Sequence, residues 1–142
     1  MGLTGKCLCG AISYTVTGEP THLSACHCSM CRRWSGGVFL GMGAAPDAVT
    51  FKGEENLTIF TSSDWAERGF CKTCGANMFY RVTAPGQHQG VYHLGSGTLD
   101  DHGDLQLTEQ LFIDIKPKGY GFADKTNDMT QAQVEAMFSD VS

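Results

Sequence analysis

The seven cysteines constrain the fold of this 142-residue chain more than any other feature, because all of them stand in spacings typical of metal-binding knuckles. They are Cys7 and Cys9 in CLCG, Cys26, Cys28 and Cys31 in CHCSMC, and Cys71 and Cys74 in CKTCG. A disulfide framework prefers an even number of cysteines and a secreted context. A redox CxxC is the alternative, but neither CxxC lies in a strand-to-helix thioredoxin pattern. Metal binding is the better interpretation.

The CLCG and CKTCG motifs together predict a structural zinc site. A Cys-x-x-Cys-Gly knuckle offers two thiolates, points backbone N–H groups at the sulfurs, and uses its glycine to accommodate a strained backbone angle. The glycine-followed pair Cys7 and Cys9 is the natural complement, and four thiolates saturate a tetrahedral zinc. Such a site contributes roughly 10–16 kcal/mol to the apparent folding free energy. In an alternative assignment of ligands, the first two cysteines of CHCSMC bind one metal ion together with the CKTCG pair, which would leave Cys31 unused.

Cys26, Cys28 and Cys31 remain, and three protein ligands with an exchangeable fourth position are typical of catalytic zinc. His27 could fill the fourth position, but it lies between two ligands and should point away from their metal, so we expect it on the loop surface. A zinc ion with three thiolates is a weaker Lewis acid than one with three histidines, and it suits a soft ligand such as a substrate thiol. A thiolate held there could attack a small aldehyde, or leave from a carbon–sulfur bond.

Apolar and polar residues alternate in short runs separated by Gly, Pro, Asp and Asn, which predicts a mainly antiparallel β protein. The runs are AISYTVT, VTFK, LTIFT, NMFYRV, GVYHL and QLFIDI. No repeat or linker interrupts them, so we expect a single domain over residues 1–142.

Helix signals are scarce. The segment CRRW predicts one short turn, and the C-terminal MTQAQVEAMFSDVS predicts an amphipathic helix. Thr130 and Gln133 form a capping-box pattern at its start. Its apolar stripe, which we expect to pack on the sheet, consists of Val134, Met137, Phe138 and Val141. Binding of a partner by this helix is the alternative.

Composition excludes several classes of function. The net charge is −5 and the pI about 5.4, which argues against sequence-independent binding to nucleic acid or to anionic lipid. The longest apolar stretch is too short to span a bilayer, and the N-terminus lacks the apolar core of a signal peptide. We therefore expect a cytoplasmic protein without nucleic-acid or membrane partners.

Four segments carry a family resemblance: CLCGAISY, CHCSMCRRWSGG, RGFCKTCGANMFY and GSGTLDD. From about residue 4 to residue 116 the chain resembles the glutathione-dependent formaldehyde-activating enzyme family. The resemblance implies the Mss4-like fold, in which curved antiparallel β-sheets surround zinc sites. It also implies carbon–sulfur lyase activity of the kind that combines glutathione and formaldehyde reversibly into S-hydroxymethylglutathione.

The resemblance implies two zinc ions per chain, one structural and one catalytic. The structural ion would be held by Cys7, Cys9, Cys71 and Cys74, and the catalytic ion by Cys26, Cys28 and Cys31. Family members often carry a histidine followed by an aromatic residue, and then a lysine and a tryptophan. Here Gln110 stands at the histidine position, Lys116 is retained, and Tyr120 is the aromatic residue nearest to the tryptophan position. If the family histidine shapes the pocket or moves protons, Gln110 changes the chemistry, because an amide cannot titrate.

The positions of other polar residues in the sequence predict further roles. Arg32 follows the CxxC of the three-cysteine loop and is our candidate for binding a carboxylate of a glutathione-like substrate, with Arg33 beside it. We expect Arg68 to be structural and paired with an acidic neighbour. We expect His93 to be a satisfied strand residue and Asp100 to hold a turn.

These observations predict a zinc-dependent carbon–sulfur lyase whose small-molecule thiol substrate, glutathione in the founding reaction, binds at the open three-cysteine zinc. Its catalytic residues would be Cys26, Cys28, Cys31 and Arg32. The alternative hypothesis is a non-catalytic zinc module that docks a protein partner or transfers metal. Such a module needs no open metal position.

Overall fold

Two β-sheets make up most of the computed structural model, which describes residues 2–139. The smaller sheet contains three antiparallel strands in the order β1–β2–β5, which are β1 (Leu3–Lys6), β2 (Ser13–Val16) and β5 (Val49–Lys52). The remaining strands are β3 (His22–Cys26), β4 (Phe39–Ala44), β6 (Leu57–Thr61), β7 (Ala66–Cys71), β8 (Asn77–Val82), β9 (Tyr92–Gly95), β10 (Gln106–Leu111) and β11 (Asn127–Met129). They form an eight-stranded sheet in the order β11–β10–β3–β4–β9–β8–β7–β6.

The predicted mainly β fold is confirmed, and most of the alternating runs are strands. VTFK, LTIFT and NMFYRV coincide with β5, β6 and β8. Among the described strands, the expected antiparallel pairing fails only at β10, which runs parallel to both β3 and β11. The QLFIDI prediction was partly wrong, because the strand ends at Leu111 and a short 3-10 helix covers Ile113–Ile115. Phe112, between them, has a left-handed backbone with φ 59°, which stops the strand.

The larger core cluster combines side chains from both sheets. Tyr14 and Val16 of β2 are buried together with Met42 of β4, Phe79 of β8 and Leu94 of β9. Alternation along β2 places these apolar side chains on one face, as predicted. A second, smaller cluster surrounds the cysteines of the CHCSMC motif. Each of these two core clusters contains cysteines from one of the two predicted metal sites.

The described residues contain two α-helices. The segment predicted as one short turn is α1 (Ser29–Ser35), which is capped at its C-terminal end by Gly36 in the left-handed conformation. The predicted C-terminal helix is α2 (Gln131–Ser139).

The structure confirms the capping box at the start of α2. The Gln133 side chain accepts from the Thr130 backbone N–H at 2.8 Å, and the Thr130 hydroxyl accepts from the Gln133 N–H at 3.3 Å. Val134 is buried, and the ring of Phe138 stacks on Trp65 with centroids 6.2 Å apart. The helix therefore packs on the body of the protein as expected, and Val141 lies outside the described residues.

Within residues 2–139, neither helix has the length and apolar character needed to cross a lipid bilayer.

Candidate metal centres

The first sulfur cluster joins the two sheets. Cys7 and Cys9 lie in the turn between β1 and β2, Cys71 ends β7, and Cys74 lies in the turn before β8. All four sulfurs lie within 4.8 Å of one another. A metal bound by them would link the small sheet to the large one.

The backbone around this cluster is that of a zinc knuckle. The N–H of Ile12 donates to Cys7 Sγ at 3.3 Å, and the N–H of Cys74 donates to Cys71 Sγ at 3.5 Å. Gly10 and Gly75, which follow the two pairs, have φ of 83° and 76°, angles that a residue with a Cβ rarely adopts. The sequence motif predicts both features, and both are present.

The sulfur separations fit zinc. A zinc–sulfur bond of about 2.3 Å in a tetrahedron places neighbouring sulfurs about 3.8 Å apart. The measured distances are 3.7 Å between the sulfurs of Cys7 and Cys9, and 3.8 Å between those of Cys9 and Cys71. The four-sulfur cluster therefore has the donors and the size that a structural zinc requires.

The second sulfur cluster lies where β3 meets α1. Cys26 is the last residue of β3, Cys28 caps the N-terminus of α1, and Cys31 lies in its first turn. The three sulfurs lie within 4.8 Å of one another, and the side chains are 5%, 6% and 1% exposed. Among the residues that the structure describes, no histidine, aspartate, glutamate or further cysteine lies within 4.8 Å of all three sulfurs.

The electrostatics of this cluster favour a bound cation. Hydrogen bonds from the thiols of Cys26 and Cys31 hold the pKa of Cys28 far below its usual value. A hydrogen bond to Cys28, together with burial, raises the pKa of Cys26 far above its usual value. The protein alone thus stabilises one negative charge among three neighbouring sulfurs. A divalent ion would allow all three to be thiolates.

Arg68 lies beside the three-sulfur cluster, a position that the sequence does not predict. Its side chain is 4% exposed, and its Nη1 lies 3.5 Å from Cys31 Sγ. The guanidinium carbon lies 5.0 Å from the ring centroid of Trp34 and 5.5 Å from that of Tyr80. The expected pairing with an acidic neighbour was wrong, since Arg68 forms no ion pair with any described residue. The signal available in the sequence was its place three residues before Cys71, on the same strand.

A cavity of about 550 Å³ opens onto the three-sulfur cluster. Its lining includes Cys26, Cys28 and Cys31, the buried Arg68, and Tyr80. Strands of the large sheet supply one part of the wall, and α2 supplies another. The arrangement gives a small molecule access to the sulfurs.

His27 points away from the three sulfurs, as expected, but its predicted place on the surface was wrong. The side chain is fully buried, and it joins Tyr120 and Gln110 at 2.6 Å and 2.8 Å. Gln110 Nε2 donates to Thr126, whose hydroxyl donates to the carboxylate of Asp128. Because a carboxylate only accepts, the donor and the acceptor of each hydrogen bond in this series are fixed. His27 Nε2–H donates to Gln110, and the Tyr120 hydroxyl donates to His27 Nδ1.

Gln110 accordingly lies behind the cluster, in this network. Its neighbours on β10, Glu109 and Leu111, line the cavity, whereas Gln110 does not. Lys116 donates to the backbone carbonyls of Pro117 and Tyr120, and so holds the same segment in place.

The other predicted residues lie outside the immediate cluster. Arg32 is on α1 but not in the lining of the cavity, and its Nε is buried without a partner among the described residues. Its role in binding a carboxylate stays a prediction. The Asp100 carboxylate accepts from Thr4 and Lys6 of β1 at 2.8 Å and 2.6 Å, so it links its segment to the small sheet and does not hold a turn as expected. His93 is on β9 as predicted, but the expectation that it is satisfied there was wrong, because it lines the cavity and its Nδ1 is buried with no hydrogen-bond partner among the described residues.

The fold and the two sulfur clusters define a mainly β protein with two potential metal centres. The chain belongs to the glutathione-dependent formaldehyde-activating enzyme family, whose model matches residues 2–114. The resemblance carried by the cysteine motifs is thereby confirmed, and with it the Mss4-like fold of this family.

Relatives and a solved structure agree with this assignment. An uncharacterized lyase of Schizosaccharomyces pombe is 32% identical over 130 residues, which cover 92% of each chain. A Podospora anserina protein, provisionally named as a glutathione-dependent formaldehyde-activating enzyme, is 35% identical over 86 residues, 57% of this chain and 40% of that protein. The crystal structure of a Rhodobacter sphaeroides protein superposes with a TM-score of 0.56 at 26% identity, covering 74% of this chain and 99% of that one.

Proposed function

We propose that this protein is a zinc-dependent enzyme of the carbon–sulfur lyase type that acts on the thiol adduct of a small carbonyl compound. One observation carries the proposal: three buried sulfurs face a cavity, and no fourth metal-binding side chain among the described residues accompanies them. A centre that only stabilised the fold would be closed by a fourth protein ligand. The four-sulfur cluster meets that description, and the three-sulfur cluster does not.

The chemistry follows from the donor set. Zinc held by Cys26, Cys28 and Cys31 would keep a substrate sulfur in its thiolate form at neutral pH. In adduct formation, a bond forms between the substrate sulfur and the carbonyl carbon, the π pair of the C=O bond moves to oxygen, and the proton lost by the thiol ends on that oxygen. The lyase direction reverses these changes.

The residues of the chain would contribute binding, orientation and exclusion of water. The positive charge of Arg68 beside Cys31 offsets part of the negative charge of three thiolates. Phe112 and Phe39 pack against the cysteines, so little water reaches the sulfurs except through the cavity. The network through His27 fixes the backbone between Cys26 and Cys28 from the opposite side.

Two measurements test the proposal. Metal analysis of the protein purified under reducing conditions should give about two zinc ions per chain, one for each cluster. Proton NMR exchange spectroscopy of a formaldehyde–thiol mixture should then show faster exchange between free thiol and S-hydroxymethyl adduct when the protein is present. The Cys28→Ser variant is the matched control, because it loses one donor of the three-sulfur cluster and keeps the four-sulfur cluster.

A non-catalytic docking module gives the opposite results. It would bind about one zinc ion, at the four-sulfur cluster, and leave three reactive thiols. Zinc at both clusters, with exchange rates equal to those of Cys28→Ser for every thiol and aldehyde tried, would instead indicate metal transfer. Either result would end the enzymatic interpretation.

A further inference from the structure

The lining of the cavity is selective for the kind of molecule that can enter it. A volume of about 550 Å³ suits a small organic molecule. Beyond the sulfurs, most of the wall is apolar, with contributions from Val82, Leu111, Phe112, Met129 and Phe138. A ligand that reaches the sulfurs must lay its remaining atoms against these side chains.

The charges in the lining disfavour an anionic ligand. Three residues with fixed charge contribute to it: Arg68, Glu109 and Glu135. The guanidinium of Arg68 lies near two aromatic rings and shares its charge with the sulfur cluster through Nη1, while its Nε is buried without a partner among the described residues. The remaining two charges are carboxylates. A carboxylate entering this cavity would lose its water and meet two like charges, with Arg68, already shared with the sulfurs, as the one fixed positive charge among the described lining residues.

Glutathione carries two carboxylates and one ammonium group on a flexible peptide. The described lining offers no second residue of fixed positive charge for the second carboxylate, and its mostly apolar wall gives the peptide amides few partners. Arg32, the sequence-predicted partner of such a carboxylate, is not in the lining.

We propose that the sulfur substrate of this protein carries an apolar, uncharged organic group that occupies this cavity, in place of the charged peptide of glutathione. This inference rests on the proposed function, because the substrate sulfur would bind at the three-sulfur centre. Apolar contact with the wall then supplies the binding energy.

Part of the wall comes from a segment beyond the family match. That match ends at residue 114, whereas Met129, Val134, Met137 and Phe138 follow it and line the cavity. The capping box at Thr130 and the stacking of Phe138 on Trp65 hold this segment against the body of the protein. The cysteines that would perform the chemistry belong to the matched region, and the α2 residues that restrict the substrate do not.

Thiol binding to the cobalt(II)-loaded protein tests the inference without relying on turnover. The sulfur-to-cobalt charge-transfer absorption changes when an outside thiol joins the open centre. Titrations compare 1-butanethiol with 3-mercaptopropionate, which is similar in size but carries a carboxylate, and with glutathione. We expect 1-butanethiol to bind at least about tenfold more tightly than either anionic thiol, because a buried carboxylate loses its water and meets Glu109 and Glu135, with Arg68 shared with the sulfurs. Equal or tighter binding of glutathione would overturn the inference.

A substitution in α2 tests whether charge is the cause. Met137 lines the cavity and is 38% exposed, so a long polar side chain can be accommodated there. Met137→Arg adds a cation, and it should improve the binding of 3-mercaptopropionate relative to 1-butanethiol by several-fold. Met137→Gln, which is polar and uncharged, should leave that ratio unchanged. Identical ratios for the two variants would contradict the assigned role of charge.

The outcomes separate this inference from the proposed function. If glutathione changes the cobalt spectrum and 1-butanethiol does not, the open centre stands and the apolar substrate is wrong. If no thiol changes the spectrum of the fully loaded protein, the open centre itself is wrong, and both proposals fall.

Discussion

Nη1 of Arg68 lies 3.5 Å from Sγ of Cys31, although the two residues are 37 positions apart in the chain. Arg68 reaches that place from β7 and Cys31 from α1, and the guanidinium lies over the rings of both Trp34 and Tyr80. A buried cation beside three sulfurs lowers the electrostatic cost of making them thiolates. Arg68 is therefore placed to raise the metal affinity of the three-sulfur cluster.

Replacing Arg68 by methionine should weaken metal binding at that cluster by about 10–100-fold, the usual effect of removing an outer partner of a metal ligand. The measurement is a competitive titration of the zinc-loaded protein with a chromophoric chelator, which resolves the two sites by affinity. Arg68→Lys is the control that keeps the charge. It should recover part of the loss, because the ammonium cannot reproduce the planar stacking of the guanidinium. Unchanged affinity in Arg68→Met would show that this cation does not support the centre.

The two clusters should differ in what they do for the fold. Cys74→Ser removes a sulfur from the cluster that links the two sheets, so we expect loss of the native far-ultraviolet circular dichroism spectrum at 37 °C or below. Cys31→Ser removes a sulfur from the other cluster and should leave the spectrum close to that of the unmodified protein, while abolishing thiol–aldehyde exchange. Comparable unfolding in both variants would contradict the division into a structural and a catalytic centre.

The local features of both clusters could be predicted from sequence, because they depend on residues close together in the chain. Ligand spacing, the glycine after each pair and the count of four sulfurs plus three are all visible in the motifs. Strand β2, with one buried and one exposed face, was also predicted, since its side chains alternate. Strands β4 and β7 were missed because each is buried at most positions on both faces, which removes the alternation.

The cavity and the network behind the cluster could not be predicted, because their parts meet only in the folded chain. His27 finds its two partners 93 and 83 residues away, at Tyr120 and Gln110. Such distant partners leave no local pattern, so a histidine between two cysteines was assigned to the surface. The position of Arg68 depends in the same way on pairing within the large sheet.

The network predicts a stability effect at Tyr120. Tyr120→Phe removes the hydroxyl that donates to His27 Nδ1 and leaves that buried nitrogen without a donor. We expect a loss of about 1–3 kcal/mol in the free energy of unfolding, which is the usual cost of an unsatisfied buried polar group. Urea unfolding of the zinc-loaded protein measures it, and metal analysis checks that both centres remain loaded. An unfolding free energy equal to that of the unmodified protein would mean that the hydroxyl is not a required partner.

His93 predicts a pH dependence of stability. Burial lowers the pKa of His93 to about 4 from its ordinary 6.5, so the folded protein resists a protonation that the unfolded chain accepts. The contribution of His93 to the free energy of unfolding is fully present above pH 6.5. It is lost as the pH falls from 6.5 towards about 4, by up to about 3 kcal/mol.

His93→Phe separates this effect from acid release of metal. The variant keeps an aromatic ring to stack on Tyr80, whose centroid lies 4.3 Å from that of His93, and removes the titration. Between pH 7.5 and pH 5 the unmodified protein should lose more unfolding free energy than the variant, because only the unmodified protein contains the histidine that resists protonation. Acid release of metal affects both proteins alike and cancels in the difference. Parallel stability curves over that range would exclude His93 as the source.

The capping box of α2 gives a test that joins stability to substrate selection. Thr130→Ala removes the hydroxyl that accepts from the Gln133 N–H, and such a loss costs about 0.5–2 kcal/mol. Because α2 contributes Val134, Met137 and Phe138 to the cavity wall, fraying of its first turn should loosen the wall without touching either sulfur cluster. We expect unchanged zinc stoichiometry and a reduced preference of the cobalt(II) protein for 1-butanethiol over 3-mercaptopropionate. Thr130→Ser, which keeps the hydroxyl, should retain the preference. A preference that survives in Thr130→Ala despite measurable loss of helix would show that α2 does not select the substrate.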